Sequence, residues 1–124
     1  TDKQRETHTT STIDHLARVK DILNSLDALK KEVRIKFKRL TNQEMLIFSK
    51  IYELDDAGLD STYELVAQQT GPTPISIRDY VQKIIKKGIP LAKHKENNKR
   101  ILLTIPHELK QIASLQTIHQ LREL

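Results

Sequence analysis

Only three glycines occur in 124 residues, and each follows a segment that opens with a hydroxyl side chain and an acid three residues later. The pairs are Thr41…Glu44 before Gly58, Ser61…Glu64 before Gly71, and Ser76…Asp79 before Gly88. Such a pair is a capping box: the hydroxyl accepts a hydrogen bond from the third helical amide, and the acid reaches back to the cap amide. The Asp version has the shorter reach and is the weaker one. A glycine just past a helix end takes the left-handed conformation that other residues resist. Box and glycine together bracket three short helices, about 42–56, 62–70 and 77–87. A fourth box, Ser11…Asp14, has no glycine behind it and opens a longer helix.

Each bracketed segment carries apolar residues at helical spacing. They are Met45, Phe48, Ile51, Tyr52 and Leu54; then Leu65 and Val66 with Gln69; then Ile77, Tyr80, Val81, Ile84 and Ile85. With 4% aromatic residues and no Trp, a core must be built from Leu, Ile and Val. A chain of 124 residues, 37% hydrophobic and 30% charged, suits one globular domain of modest core. After Gly88 the pattern changes to two short β-compatible runs, from Leu91 and over Arg100–Ile105, broken at 96–99. Asn97 and Asn98 tolerate positive φ at the tip of such a hairpin. Pro90 lacks an amide donor and places the first strand at a sheet edge. Three helices followed by a hairpin is the order of a winged helix-turn-helix, a mostly α fold with a small β-hairpin.

Two flanking segments frame this 41–105 domain. Residues 1–10 read as a polar, frayed tail. A helix over 13–39 would be roughly 40 Å long. Its apolar residues Leu16, Val19, Leu23, Leu26, Val33 and Phe37 alternate three and four apart, with Lys30 interrupting one position. Lys30 can lay its stem along the seam and keep its head in water. Ile22 and Leu29 widen the stripe beyond a two-position seam. The segment 11–40 therefore reads as a coiled-coil-like dimerisation helix. Folding back onto its own winged helix is the other use of such a stripe. From Pro106 to Leu124, Leu109, Ile112, Leu115, Ile118 and Leu121 suggest one C-terminal amphipathic helix.

Charge is distributed unevenly. Residues 1–40 hold ten Lys/Arg and six Asp/Glu, 41–74 hold one and six, 75–100 hold eight and two, and 101–124 hold two of each. The net of +6 over 75–100 points to a polyanion facing that part of the chain.

Signals for catalysis and metal binding are weak. The five His are scattered, there is no Cys, and no pair has zinc-ligand spacing. The acidic run 55–60 lacks the ligand spacing of a calcium loop and reads as a solvated helix end. All three glycines serve as caps, so none is left for a phosphate-cradling loop. No catalytic residue, metal or cofactor is expected. No apolar run approaches a membrane span, and the lack of Cys suits a cytoplasmic protein, nucleoid-associated if the source is prokaryotic.

Residues 41–105 resemble a winged helix of the broad MarR-like type found in prokaryotic transcription regulators. "LTNQEMLIFSKIYEL" resembles the opening helix, "STYELVAQQTG" the second, and "PTPISIRDYVQKIIKKGIPL" the turn, recognition helix and entry to the wing. Pro72 and Pro74 within the turn depart from that pattern. The resemblance implies that 77–87 enter the major groove of double-stranded DNA and that 91–105 form the wing. The cations of the hairpin then suit the backbone or minor groove, and the stripe of the long helix suits a dimeric regulator. Candidate DNA contacts are Ser76, Arg78, Gln82, Lys83 and Lys86 on the helix, and Lys93, Lys95, Lys99 and Arg100 on the wing. Arg can read guanine and Gln adenine in the major groove, whereas Lys chiefly meets phosphate. The alternative is a winged-helix and coiled-coil module that recruits protein partners in a larger assembly.

Overall fold

The computed structural model describes residues 2–124, with side chains from residue 12 onward. The elements in order are α1 (Asp2–Lys38), α2 (Asn42–Asp56), α3 (Tyr63–Thr70), α4 (Pro74–Lys86), β1 (Ala92–Lys95), β2 (Ile101–Thr104), α5 (His107–Ile112) and α6 (Leu115–Glu123). The fold is mostly helical with one antiparallel hairpin, a winged helix-turn-helix carried on a long first helix. Two short helices follow the wing.

The caps explain where the elements begin, and they revise several expected boundaries. Thr41 and Glu44 form the complete reciprocal box that opens α2. The next two helices are opened by different residues from those expected. Thr62, not Ser61, accepts from the Leu65 amide and caps α3. Thr73, not Ser76, accepts from the Ser76 amide, and Pro74 fills the first helical position of α4. Proline suits that position because its missing amide would have no partner there anyway. Helix α4 therefore begins three residues before the expected 77. The first helix runs unbroken through Ser11, so Ser11…Asp14 does not open it, and residues 2–10 are helical rather than a frayed tail.

All three glycines have positive φ, at 74°, 105° and 89°. Gly71 is the one that shapes the site, because only two residues, Pro72 and Thr73, separate it from α4. In the wing the positive-φ residue is Lys99, at 66°, and not Asn97 or Asn98. The Glu96 amide donates to the Arg100 carbonyl, and the Lys99 amide to the Glu96 carbonyl. This is a three-residue hairpin loop whose last member must be left-handed. Asn98 accepts the Arg100 amide through its side chain instead.

Phe37 of α1 meets Phe48 of α2 edge-to-face at 4.9 Å, and Phe48 leans on Tyr52. Around them Ile47, Ile51, Val66, Ile77, Val81, Ile84, Leu103 and Ile118 are fully buried. The C-terminal segment is two helices, not one. Ala113 is extended and Ser114 caps α6 through the Thr117 amide. The physical reason is that a repeat of three drifts around a 3.6-residue helix. A break at 113–114 resets the phase, so Leu109 and Ile118 can both reach the core. The Tyr52 hydroxyl donates to the carbonyl freed at Ala113.

Polar contacts tie these layers together. Arg122 of α6 donates to the Phe37 and Leu40 carbonyls and to the Asn42 side chain. A cation at those orphan carbonyls closes the C-terminus of α1. Val33 and Phe37 are consequently core residues of their own chain, which removes them from the expected pairing stripe. Asp55 accepts the Ile105 amide and pairs with Lys110 at 3.0 Å. The acidic run at 55–60 is thus partly a latch between α2 and the base of the wing rather than a purely solvated helix end.

Candidate nucleic-acid interface

Helix α4 sorts its residues cleanly. Ile77, Val81 and Ile84 face the core and are fully buried. Arg78, Asp79, Gln82, Lys83 and Lys86 face out and are exposed. Ile85, expected on the inner face, is 37% exposed and looks outward with them. The outer face of α4 and the first strand of the wing enclose a shallow recess of about 520 Å³, lined by Asp79, Gln82, Lys83, Ile85, Lys86 and Lys93. Residues separated by up to fourteen positions in sequence thus share one concave, cationic surface.

The register of the hairpin decides which cations join it. Lys93 pairs with Leu103 and Lys95 with Ile101, so both lysines lie on one side of the strand while His94 takes the other. The wing is anchored by Leu103, whose amide donates to the Ser61 carbonyl and whose side chain is fully buried. Ser61 Oγ is buried without a hydrogen-bond partner. Its backbone, not its hydroxyl, does the structural work.

The candidate cations divide into two kinds. Arg78, Lys83, Lys86, Lys93, Lys95 and Lys99 have no carboxylate partner among the described residues, and Lys83 only overlies the Tyr80 ring at 5.8 Å. Arg100 differs. It pairs with Asp60 and Glu96, each at 2.9 Å, and those two carboxylates push its already high pKa up further. Arg100 therefore braces the wing against the loop before α3 rather than standing free with the others. Ser76 is also occupied, accepting the Thr73 hydroxyl inside the first turn.

Two residues exposed on α4, Ile75 and Ile85, were not expected there from the sequence, whereas Asp79 was. Ile75 lies at the leading end of α4 and is 75% exposed. Asp79 places one anion among the cations, and Ile85 adds an apolar contact. The signal for Ile75 was present in Thr73-Pro74, a cap followed by a first-turn proline, which moves the helix start upstream.

Two buried groups support the frame. Burial pushes the Glu44 carboxyl up, but hydrogen bonds from Lys87 and from the Thr41 amide, with the Lys87 charge, outweigh it and hold the carboxyl below its usual value. The pair ties the start of α2 to the end of α4. Partial burial raises the pKa of the Tyr63 phenol, against the opposing effect of the Arg78 charge.

Among the described residues, no group of three or more His, Cys, Asp or Glu is placed to hold a metal ion. Nor is any helix there long and apolar enough to cross a membrane. No protein-family model matches the sequence, and no curated protein sequence matches it. The fold is similar to that in the X-ray crystal structure of YusO protein from Bacillus subtilis, with a TM-score of 0.51 and 12% identity. The match covers 89% of this chain and 74% of that one. At such identity the likeness is one of fold.

Proposed function

We propose that this chain binds double-stranded DNA, with α4 in the major groove and the wing against the adjacent backbone, and that two copies act together as a MarR-like transcription regulator. The observation that carries this reading is the state of the outer face of α4. It holds Arg78, Gln82, Lys83 and Lys86, continues into Lys93 and Lys95, and is exposed among the described residues. Unpaired cations on a helix that fits a groove about 12 Å wide favour a polyanion of that shape. Arg78 and Gln82 supply base-reading chemistry, and the lysines supply phosphate contacts.

Salt-titrated binding to duplex DNA tests the reading. Arg78→Ala should cost about 1–3 kcal/mol on the best site and relax preference at one base pair. Lys95→Ala should weaken all duplexes alike and reduce the salt slope by roughly one. Arg100→Ala should change the slope less, because its charge is already balanced by Asp60 and Glu96. No affinity for any duplex at low salt would reject the reading in favour of a protein-recruiting module.

A further inference from the structure

The part of α1 that precedes Lys30 carries seven large apolar side chains that stay well exposed among the described residues. Ile13, Leu16, Val19, Ile22, Leu23, Leu26 and Leu29 are each between 38% and 62% exposed. A continuous apolar face of this length on a projecting helix marks an interaction surface. Its charges say what fits it. In heptad terms Leu16, Leu23 and Lys30 occupy one core position, and Val19, Leu26 and Val33 the other. Lys20 and Asp27 flank the seam on one side, and Ile22 and Leu29 flank it on the other.

We propose that this face pairs antiparallel with the same face of a second copy, in the register that sets Leu23 against Leu26 of the other chain. This orientation sorts like with like. Lys20 meets Asp27 of the second copy and Asp27 meets its Lys20, giving two symmetric ion pairs. On the other flank Ile22 meets Leu29 and Leu29 meets Ile22. Lys30 lies opposite Val19, where its stem can pack and its head can reach water. Leu16 of the second copy comes level with Val33, which is already buried within its own chain and adds no layer to the seam. That Leu16 lies instead at the mouth of an apolar groove of about 320 Å³ between α1 and α5, lined in part by Leu29, Val33, Phe37, Leu109 and Ile112.

The parallel arrangement does the reverse. It stacks Lys30 on Lys30 within the seam, sets Ile22 against Asp27 and sets Leu29 against Arg34, leaving apolar flanks on charged ones. The other antiparallel register, one heptad shorter, brings Lys20 against Lys20. Like charges and desolvated cations in a seam are disfavoured, and such terms fix coiled-coil orientation more than they fix affinity. The pairing rests on the reading above that two copies act together, and it adds their geometry. The two ends of α1 at Lys38 are offset by roughly 40 Å at 1.5 Å per residue. That is comparable with the roughly 34–36 Å between half-sites one turn apart on duplex DNA.

The chain has no Cys, so one introduced thiol reports unambiguously. Asp14→Cys, on the outward side of α1, should be spin-labelled in the full chain and the distance between labels measured. The proposed register offsets the two labels by about 32 Å along the axis, against about 21 Å in the shorter antiparallel register and none in a parallel pair. A distance under about 25 Å, or a monomer at tens of micromolar, overturns the proposal whatever the DNA assay shows. Separately, Lys20→Glu and Asp27→Lys should each weaken self-association roughly tenfold, and mixing the two variants should restore it. A mixture no tighter than either variant alone also overturns it. Loss of DNA binding with an intact long distance would instead reject the nucleic-acid reading and leave the pairing standing.

Discussion

The two halves of α1 carry one apolar stripe and meet opposite fates. Leu16, Leu23 and Leu26 are 62%, 55% and 42% exposed, while Val33 and Phe37, in the same phase, fall to 8% and 1%. Both halves have helical periodicity, and both would be called a coiled-coil seam from spacing. The difference is what lies beside them. Helices α5 and α6 fold back onto the second half, and Arg122 clamps its last carbonyls. Among the described residues, the large apolar side chains of the first half stay exposed. Periodicity therefore sets which side of a helix is apolar, and only tertiary contacts decide what covers that side.

Breaking the covered half should have the largest effect. Phe37→Ala removes a ring packed against Phe48 and should cost about 3–5 kcal/mol in denaturant unfolding. Leu23→Ala, measured well below the concentration of self-association, should stay within about 0.5 kcal/mol of the unmodified chain. Equal costs would mean that both halves are core.

The body that covers the second half of α1 also holds a titrating contact between α2 and the end of α4, which gives the comparison a pH signature. The Glu44 carboxyl, capping α2 and bonded to Lys87, is held below its usual value. A carboxyl depressed in the folded state contributes stability in full above its unfolded pKa of about 4.3. That contribution is lost as pH falls through the lower folded value. Glu44→Gln should cost about 2 kcal/mol at pH 7 and flatten the decline below pH 4.5. An unchanged acid limb in thermal melts across pH 3 to 6 would assign that decline to other carboxylates.

The smallest effect on folding should accompany the clearest effect on assembly. Leu23→Glu combined with Leu26→Glu should leave far-ultraviolet dichroism and unfolding of the 41–124 body within about 0.5 kcal/mol, because both side chains are exposed. In a pair it would bring four carboxylates to one seam, which is costly to bury. Sedimentation should then show a monomer, with DNA affinity greatly reduced. A variant that still pairs would place the interface elsewhere on the molecule.

Much of the site was legible because its signals are local. The Thr41…Glu44 box, the three glycines and the period of α4 each act within about four residues. Local chemistry fixed the element order, the inner face Ile77, Val81 and Ile84, and the outward set Arg78, Gln82, Lys83 and Lys86. Where two local signals competed, sequence alone did not choose. Ser61 and Thr62 are adjacent potential caps, and Thr73-Pro74 competes with Ser76 only three residues away. At Thr73 the following Pro74, suited to the first helical position, agrees with the outcome. At Thr62 the choice lay with packing: the Ser61 carbonyl is bonded to the wing at Leu103, which leaves Thr62 to turn in and cap.

By itself the sequence determined the helices, their polar faces, the hairpin and the excess of positive charge over 75–100. Hydrogen-bonding caps, helical periodicity and net charge are properties of neighbouring residues, and they need no distant contact to be read. Only the tertiary structure decided that Arg100 is braced by Asp60, forty positions away, while Lys93 and Lys95 are left unpaired. It also decided that the C-terminal segment breaks at Ala113 to meet Tyr52, and that α1 is covered from Val33 onward but not before. Each of these depends on which surfaces meet across long stretches of chain. Spacing along a helix cannot encode that, because an apolar stripe is equally satisfied by its own domain or by another chain.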